Sequence, residues 1–383
     1  MKSFLQFLLR AFKYFRSTKR VWRRPPRANL LIIDRGTASP LDEMFAHHTP
    51  HIMEIRGESV NMLALLRALP KIHLGAVAYL EAYIDFAKPK LILSRTDNNH
   101  TLWQLKRRPN VTYQVALVQN GWRIADSPGG ETGKIGEQGN EQVDYFFSVG
   151  EASRLAFQSG LKATFIPIGS LHLNFFAKPI RDLNSNKDVS LVSIFRPKRS
   201  ADDQGFNELK TFASCLVAQK LPLKIIGSQT SDLGAEFELQ FYEKVLKGVD
   251  FDFQRRSANN SSYKRLLHSS IFLVDQSTFG YEALSLGLRV GFISFQSRFR
   301  KTDRFGKPLE FGEKGPFWTN DPSEEEISRI LDYLLNVSDE QWERDSGWIR
   351  DQLMVHDYGN TKIRAYVESV LADSLENAKV TKI

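Results

Sequence analysis

The sequence predicts an α/β protein made of two Rossmann-like domains that face each other across a cleft. The chain has 383 residues, which is too many for one ordinary core and suits two domains of roughly 150 residues each. Short, almost continuously apolar runs alternate with stretches of helical period, as in parallel sheets covered by helices. The alternation starts afresh after a polar segment at residues 176–190, which we interpret as a linker.

The predicted first domain, residues 28–180, contains five candidate strands that are rich in β-branched and aromatic residues. A long region of helical period, residues 59–88, lies between the first two. Because the runs are apolar on both faces, we expect them to be buried in a parallel sheet. The candidate strands are 30–34, 91–94, 113–119, 144–150 and 163–169.

The predicted second domain, residues 185–345, repeats the pattern. Its candidate strands are 189–195, 223–227, 251–254, 271–275 and 290–294, and its candidate helices are about 205–219, 261–268 and 279–286. Helical pattern continues from about residue 323 to the end, and we expect residues 346–383 to pack across both domains. Ligands of open parallel sheets bind beyond the carboxyl ends of the strands, so the residues after each strand are the candidate site.

The composition excludes several classes of protein. Hydrophobic residues make up 42% of the chain and charged residues 25%, which is typical of a globular protein. The single cysteine, Cys215, excludes an internal disulfide or a cysteine-cluster zinc site and favours a reducing compartment. Residues 1–27 carry nine basic and no acidic side chains, whereas the remainder has 43 basic and 44 acidic. This nearly neutral body argues against nucleic-acid binding.

Residues 1–27 predict a basic amphipathic helix that lies on a membrane surface. Its apolar side chains recur at steps of three and four, and its cationic side chains lie mostly off that stripe. The longest uncharged run, seven residues, is too short to span a bilayer, and interruption by Arg10 and Lys13 disfavours a signal peptide. Attraction to anionic lipid predicts a cytoplasmic protein that is peripheral on the inner face of the cytoplasmic membrane. Packing of the stripe on the protein's own body is the alternative.

The segment that follows the candidate strand at 271–275 has the composition of an anion site. Ser277 and Thr278 open a predicted helix, whose first N–H groups and positive end would face an anion. Gly280 would let the backbone approach that anion, and Glu282 would accept hydrogen bonds from a ribose or sugar hydroxyl. The alternative is an ordinary capped helix in which Glu282 offsets the helix dipole.

Basic residues follow the first strand of the second domain. Arg196 and Lys198 should emerge at the carboxyl end of the strand at 189–195, beside the proposed phosphate. Cations placed there would offset the charge of a departing phosphate without a metal, although a solvated cluster with Arg199 is the alternative. Gly227 and Ser228, after the next strand, are candidates to line the base or the ribose.

Polar residues also follow two strands of the first domain. Arg95, Thr96, Asp97, Asn98 and Asn99 come after the strand at 91–94, and Gln119, Asn120 and Gly121 come after the strand at 113–119. These residues form either a turn or a sugar-binding rim, and in a sugar-binding rim Asp97 is the first candidate for a general base that takes a proton from a bound hydroxyl. Asp34 is a second candidate base. A loop-capping role is the alternative for both, and another role in ligand binding is a further alternative for Asp97.

Three other patterns imitate functional motifs and are set aside. SPGGETGKIG at 127–136 has the wrong glycine spacing for a P-loop and lacks its Ser or Thr. The histidines of HHTPH at 47–51 are near no element that would hold a ligand geometry, so a surface loop is favoured over a metal site. Asp250 and Asp252 resemble a metal-binding DxD pair but open a strand where metal ligands should follow one. We therefore predict no metal.

The run STFGYEALSLGLRVGFIS at 277–294 resembles the nucleotide-binding segment of GT-B glycosyltransferases, particularly bacterial proteins of surface-carbohydrate and O-antigen biosynthesis. The resemblance implies that Glu282 contacts the ribose and that Ser277, Thr278 and Gly280 face the phosphates. The usual second glutamate, seven residues before the ribose acid, is replaced by Asp275. Further resemblance lies in SRTDNN at 94–99, VQNG at 118–121, FFSVG at 146–150, IPIGS at 166–170, SIFRPK at 193–198 and FGEKGPFWTN at 311–320.

Together these features predict a glycosyltransferase that moves a sugar from a nucleotide-sugar to a surface polysaccharide or lipid-linked glycan, with no cofactor and no metal. The second domain would hold the donor and the first the acceptor, and closure of the cleft would exclude water. The expected partners are the donor, the glycan and an anionic membrane, but no nucleic acid. The alternatives are a polyol-phosphate transferase of the teichoic type, a sugar epimerase, and a non-catalytic scaffold of a polysaccharide assembly complex.

Overall fold

The computed structural model contains two large β-sheets and a small two-stranded sheet. Within the described part of the chain, no helix combines the length and the apolar composition that are needed to cross a bilayer. The residues that the structure describes are 18–108, 110–123, 141–158, 160–178, 188–197, 205–256, 263, 270–275, 277–296, 305–306 and 309–380.

The small sheet pairs β1 (Lys19–Val21) with β4 (Ser59–Asn61) in parallel. The first large sheet is parallel throughout and has the strand order β3-β2-β5-β6-β7-β8. Its strands are β2 (Leu30–Ile33), β3 (His51–Met53), β5 (Leu91–Ser94), β6 (Gln114–Val118), β7 (Glu141–Ser148) and β8 (Leu161–Pro167). The α-helices described alongside these strands are α1 (Leu41–Met44), α2 (Met62–Ala68), α3 (Ala76–Ala87), α4 (His100–Trp103) and α5 (Glu151–Phe157).

The second large sheet has the order β11-β10-β9-β12-β13-β15-β14, and only the β14–β15 pair is antiparallel. Its strands are β9 (Val189–Val192), β10 (Leu223–Ile226), β11 (Phe251–Gln254), β12 (Ile271–Val274), β13 (Arg289–Ile293), β14 (Lys314–Gly315) and β15 (Trp318–Thr319). The described helices from residue 205 onward are α6 (Phe206–Gln219), α7 (Asp232–Val245), α8 (Thr278–Ser285), α9 (Glu324–Asn336), α10 (Asp339–Leu353) and α11 (Thr361–Val380).

Every residue of β2, β5, β9 and β12 is buried. Parallel strands that are covered on both faces favour apolar side chains at nearly every position, which explains their almost continuous apolar runs. Each of the ten candidate strands coincides with an observed strand, and the ends differ by three residues or fewer. The candidate helix at 261–268 falls outside the described residues except for Tyr263, and so does most of the predicted linker.

The sequence analysis missed helix α7 because its apolar residues do not form one stripe. Leu233 and Phe237 are exposed, whereas Ala235, Tyr242 and Val245 are buried. Apolar side chains therefore occur on both sides of the helix, which obscures the period by which an amphipathic helix is recognised.

The predicted N-terminal helix is wrong for the part of it that the structure describes. Residues 19–21 form strand β1, which is held by pairing with β4. Residues 1–17, which carry the apolar stripe, lie outside the described residues. The helical prediction for those residues therefore stays a prediction.

The C-terminal helices contact both halves of the chain. Trp342 of α10 donates its indole Nε1–H to the Gly287 carbonyl at 2.9 Å, in the core of the second sheet. At the end of α10, the Leu353 carbonyl oxygen lies so close to Gly150 that a β-carbon there would be only 2.1 Å from it. Ile363 and Val367 of α11 are buried in the core of the first sheet. The chain thus returns to the first sheet after completing the second.

Candidate functional site

A cavity of about 820 Å³ lies where the carboxyl ends of strands from both large sheets come together. The first sheet contributes residues that follow β2, β5, β6 and β8, and the second contributes residues that follow β9, β10, β12 and β13. This is the location that the general rule for open parallel sheets predicts. The polar residues central to the site are Arg95, Gln119, Asn120, Ser170, His172, Arg196, Tyr263, Ser277, Thr278, Glu282 and Gln296.

Glu282 is a buried carboxylic acid in this cavity. Ser170, which follows β8 of the first sheet, donates a hydrogen bond to Glu282 Oε1 at 2.5 Å, and Tyr263 donates to the same oxygen at 2.9 Å. Burial disfavours the charged form and raises the pKa of Glu282 to about 7, although the two hydroxyl donors act in the opposite direction. Glu282 therefore titrates near neutral pH.

The N-terminus of α8 lies on the cavity, as the sequence predicts. Ser277 is the N-cap, and its hydroxyl accepts a hydrogen bond from the Phe279 N–H. The Thr278 hydroxyl accepts from the Trp122 backbone N–H at 3.0 Å. Thr278 thus also joins α8 to the segment that follows β6.

Gly280 does not line the cavity, and its predicted role beside the phosphate is corrected. A β-carbon at this position would lie 2.5 Å from Val274 Cγ2 and 3.0 Å from Phe292 Cε1. The glycine allows α8 to pack closely on β12 and β13. Its role in the structure is helix-to-sheet packing and not close approach to an anion.

Arg95 lines the cavity from the first sheet and is mostly buried. Its guanidinium donates to Asn120 Oδ1 at 2.6 Å, to His172 Nε2 at 3.1 Å and to the Ser39 carbonyl. Burial, together with the charge of Arg95, lowers the pKa of His172 to about 4. The His172 ring is therefore neutral at physiological pH, with Nε2 as the acceptor and the proton on Nδ1.

The structure does not bring Asp97 to the cavity. Its side chain is fully buried, and both carboxylate oxygens accept hydrogen bonds from Arg123, at 2.8 and 3.1 Å. Its backbone carbonyl accepts from the Trp103 indole. A general base must reach the proton that it removes, so this position gives no support to the prediction of Asp97 as the base. Asn98 is also absent from the residues that line the cavity.

Asp34, the second candidate base, is likewise held in a structural network. It is fully buried, with a φ of 82°. Its carboxylate accepts from Arg56 at 2.6 Å, from Thr96 Oγ1 at 2.6 Å and from the Gly36 N–H at 3.1 Å. These bonds stabilise the turn after β2. Because the carboxylate is engaged in them and Asp34 does not line the cavity, its position gives no support to a role as the base.

Gln119 and Glu238 shape two of the turns around the cavity. Gln119 donates to the Gly121 carbonyl at 2.8 Å and accepts from the Val149 N–H at 3.0 Å, which fixes the segment after β6. Glu238, buried on α7, accepts from the backbone N–H groups of Ser228 and Gln229. Gly227 and Ser228 line the cavity. Glu238 was missed because α7 was missed.

Arg196 lines the cavity after β9, whereas Lys198 lies outside the described residues. The sequence analysis did not select Ser170, His172, Tyr263 or Gln296. The rule of strand ends points to the first two, because they follow β8, and to Gln296, because it follows β13. Tyr263 follows no described strand directly, so only the tertiary structure places it beside Glu282.

The histidines at 47–51 do not act as one group. His47 and His48 each contact one carboxylate oxygen of Glu368 on α11, at 2.9 and 3.0 Å, and the three potential ligand atoms lie within 4.8 Å of one another. Nε2 of each of these two rings thus has a carboxylate oxygen of Glu368 as its partner. His51 belongs to β3 and contacts the Tyr83 hydroxyl instead.

The two parallel sheets, with a cavity at their facing strand ends, define an α/β protein of the GT-B type. The structure is similar to a "putative UDP-N-acetylglucosamine 2-epimerase" from Listeria monocytogenes, with a TM-score of 0.56 and 12% identity over 91% of this chain and 97% of that one. It is also similar to the UDP-GlcNAc 2-epimerase from Neisseria meningitidis bound to UDP-GlcNAc, with a TM-score of 0.54 and 13% identity over 90% and 99%. For the wall teichoic acid polymerase TagF the TM-score is 0.53, at 12% identity over 94% and 91%.

At these identities the likeness establishes the fold alone. A family described as "putative O-antigen biosynthesis protein" matches residues 116–371, which is more than half of the chain. The chain belongs to this O-antigen biosynthesis family, in agreement with the resemblance noted in its sequence. Comparison with curated proteins gives no significant match.

Proposed function

We propose that this protein is a glycosyltransferase that moves a sugar from a nucleotide-activated donor to a surface polysaccharide or a lipid-linked glycan. The observation that carries the proposal is Glu282, a buried carboxyl group on α8 that lines the cavity between the sheets. Membership of an O-antigen biosynthesis family and the GT-B fold support the same reaction class.

Glu282 is the proposed ligand of the donor's ribose. Ser170 and Tyr263 both donate to Oε1, so Oε2 is the atom that we propose for a ribose hydroxyl. A carboxylate accepts such a bond more strongly than a neutral acid does. Because the pKa of Glu282 is about 7, donor affinity should rise as the pH increases through neutrality.

The donor's phosphates would lie between the start of α8 and Arg196. Ser277 and Thr278 place the first N–H groups of the helix on the cavity, where the helix end attracts negative charge. Arg196 enters the same cavity from β9 and would offset the charge that develops on the departing phosphate. This arrangement supplies positive charge without a metal, and we propose a metal-independent reaction.

The acceptor would lie against the first sheet, beside Arg95, Gln119 and Asn120. Arg95 holds Asn120 through a hydrogen bond of 2.6 Å, so the polar edge presented to an acceptor hydroxyl is fixed in position. We further propose that the protein works at the inner face of the cytoplasmic membrane of a bacterium, since residues 1–27 carry nine basic side chains and no acidic one.

The first test is calorimetric titration and thermal unfolding of the purified protein with UDP, GDP, CDP, CMP, dTDP and ADP. We expect one nucleotide to bind; at 100 times its dissociation constant it should stabilise the fold by about 2.7 kcal/mol. Glu282→Ala should weaken that binding by about tenfold or more, because it removes a hydrogen bond to a charged group, and Ser277→Ala should weaken it less.

Asp97→Asn is the matched control, because it alters a buried acid that does not line the cavity. It should lower the melting temperature by disrupting the pair with Arg123, yet leave the nucleotide dissociation constant within about twofold of wild type. Failure of every nucleotide to bind would contradict the proposal and favour a scaffold. Selective binding of CDP would favour a polyol-phosphate transferase over a sugar transferase.

A further inference from the structure

Four large apolar side chains are exposed on two neighbouring segments near the start of the chain. Trp22, Leu66, Leu69 and Leu74 have exposed fractions of 62%, 50%, 49% and 42%. They are four of the ten large hydrophobic residues exposed in the described part of the chain. Isolated exposed apolar residues need no explanation, but a group of them marks an interaction surface.

Pairing of β1 with β4 brings the two segments together. Val21 lies opposite Asn61 in this pair, and Trp22 follows Val21 directly. Asn61 is also the N-cap of α2, where its side chain accepts from the Ala64 N–H and donates to the Arg23 carbonyl at 2.8 Å. The residues on either side of Trp22 are therefore fixed beside the start of α2.

The buried residues of helix α2 are small. They are Ala64 and Ala68, whereas three larger apolar residues of the helix are half-buried and Leu66 is exposed. The chain continues as a 3-10 helix over residues 69–74, which begins with exposed Leu69 and ends with exposed Leu74. Folding of the chain does not require these leucines to be large, because they do not contribute to its core.

The charge of the same two segments is wholly positive. Residues 18–29 contain five Lys or Arg and no acid, and residues 59–80 contain two and no acid. Arg67 contacts Asp85 and lies over the Phe86 ring, and Lys71 contacts Glu81, so acids of α3 offset part of this charge. The five basic residues of the first segment are all exposed. The combination of exposed apolar and basic side chains favours a partner that is both apolar and negatively charged.

We propose that Trp22, Leu66, Leu69 and Leu74 form a docking surface that inserts into the interfacial region of an anionic lipid bilayer. The apolar side chains enter the boundary between headgroups and acyl chains, while the surrounding cations contact phosphate groups. The chain enters this surface from residues 1–17, whose sequence carries an apolar stripe and four basic residues. A single weak anchor binds a membrane only marginally, and this folded surface supplies a second one.

The test is co-sedimentation of the full-length protein with phosphatidylcholine vesicles, with and without phosphatidylglycerol. The docking variant is Leu66→Gln/Leu69→Gln/Leu74→Gln. It removes apolar contact while keeping side-chain size and charge. The matched control variant is Val217→Gln/Leu233→Gln/Phe237→Gln. Its three residues lie on α6 and α7 and are similarly exposed, at 56%, 61% and 50%. Wild type should bind the anionic vesicles, and bind less at high salt.

The docking variant should bind anionic vesicles about tenfold or more weakly, whereas the control variant should stay within about twofold of wild type. Trp22→Ser is a second, independent variant with the same expected direction. All variants should melt at the wild-type temperature and keep the wild-type nucleotide affinity, so failure here is distinct from failure of the proposed transferase activity.

Three results would overturn the docking surface. One is wild-type protein that does not bind anionic vesicles, and another is equal vesicle binding by the docking and control variants. The third is a wild-type dimer that becomes monomeric only in the docking variant, as measured by sedimentation velocity, because the leucines would then join two copies of the chain.

Discussion

The folded protein is more stable when the Glu282 carboxyl group is neutral, whereas the proposed bond to a ribose hydroxyl is stronger when it is charged. The folded environment raises the pKa of this acid from 4.5 to about 7, chiefly through burial. Between these two values, the folded protein holds a proton that the unfolded chain releases. Stability contributed by this group is thus highest below pH 4.5, falls as the pH rises to about 7, and stays low above it.

We expect Glu282→Gln to stabilise the protein increasingly as the pH rises. Glutamine keeps a carbonyl oxygen to accept from Ser170 and Tyr263 but carries no charge. The difference in unfolding free energy between variant and wild type should grow from pH 4.5 to pH 7, level off above, and reach at most roughly 3 kcal/mol. Denaturant unfolding at pH 5, 6, 7 and 8 measures it. Parallel pH profiles for the two proteins would contradict the elevated pKa.

Asp97 and Asp34 show why an acid after a strand is an ambiguous signal. The sequence correctly places Asp97 beyond the end of β5 and Asp34 beyond the end of β2. It does not reveal that each carboxylate forms an ion pair, with Arg123 and Arg56 respectively. Such ion pairs form between residues 22 or more positions apart in the chain, so they depend on tertiary structure. A polar residue at a strand end can face the ligand or fix the loop that does.

At the scale of the element, the position of α8 determines the geometry of the cavity. Its N-cap, Thr278 and Glu282 all lie on the cavity, while Gly280 faces Val274 and Phe292 on the sheet. One turn of helix therefore presents polar groups to the cavity and its smallest residue to the core. Any side chain at Gly280 has to displace the helix or the sheet.

We expect Gly280→Ala to destabilise the protein by about 1 to 3 kcal/mol, because the added methyl group would lie 2.5 Å from Val274 Cγ2. It should also weaken nucleotide binding, since Ser277 and Glu282 move with the helix. Thermal unfolding and calorimetric titration measure the two effects.

Gly347→Ala is the control for this substitution. Gly347 lies within α10, where a new β-carbon meets the end of the Glu343 side chain at 3.0 Å and the end of the Arg350 side chain at 3.5 Å. Those ends can move, and alanine is favoured over glycine in a helix by about 1 kcal/mol. If Gly280→Ala proved as stable as Gly347→Ala, close packing of α8 on β12 would be refuted.

At the scale of the whole molecule, distant parts of the chain complete each other's cores and the cavity. Trp122, which follows β6, stacks on Tyr281 of α8 with ring centroids 4.1 Å apart, and Ser170 of the first half contacts Glu282 of the second. Helix α11, near the end of the chain, packs on β2 and β5 near its start. Contacts of this kind make the geometry of the cavity depend on the relative position of the sheets.

We expect Ile363→Ala to destabilise the first sheet, although residue 363 is far from it in sequence. Ile363 is fully buried with Leu30 and Leu93, and truncation of such a residue costs about 2 to 5 kcal/mol. Hydrogen exchange should increase in β2 and β5 more than in β9 and β12. Ser369→Ala on the exposed side of α11 should leave both regions unchanged, and equal increases in both sheets would contradict the assignment of α11 to the first.

The sequence by itself determined the ten core strands, the division into two α/β halves, the strand-end location of the cavity, and the nomination of Glu282, Ser277, Thr278, Arg196 and Arg95. It could do so because strands buried on both faces are apolar at nearly every position, and because parallel strands present their carboxyl ends at one edge. Only the tertiary structure showed that Arg123 forms an ion pair with Asp97 and that Gly280 allows helix α8 to pack on the sheet. It alone also showed that Ser170 and Tyr263 donate hydrogen bonds to Glu282. Those outcomes depend on contacts between residues far apart in the chain, which local pattern does not encode.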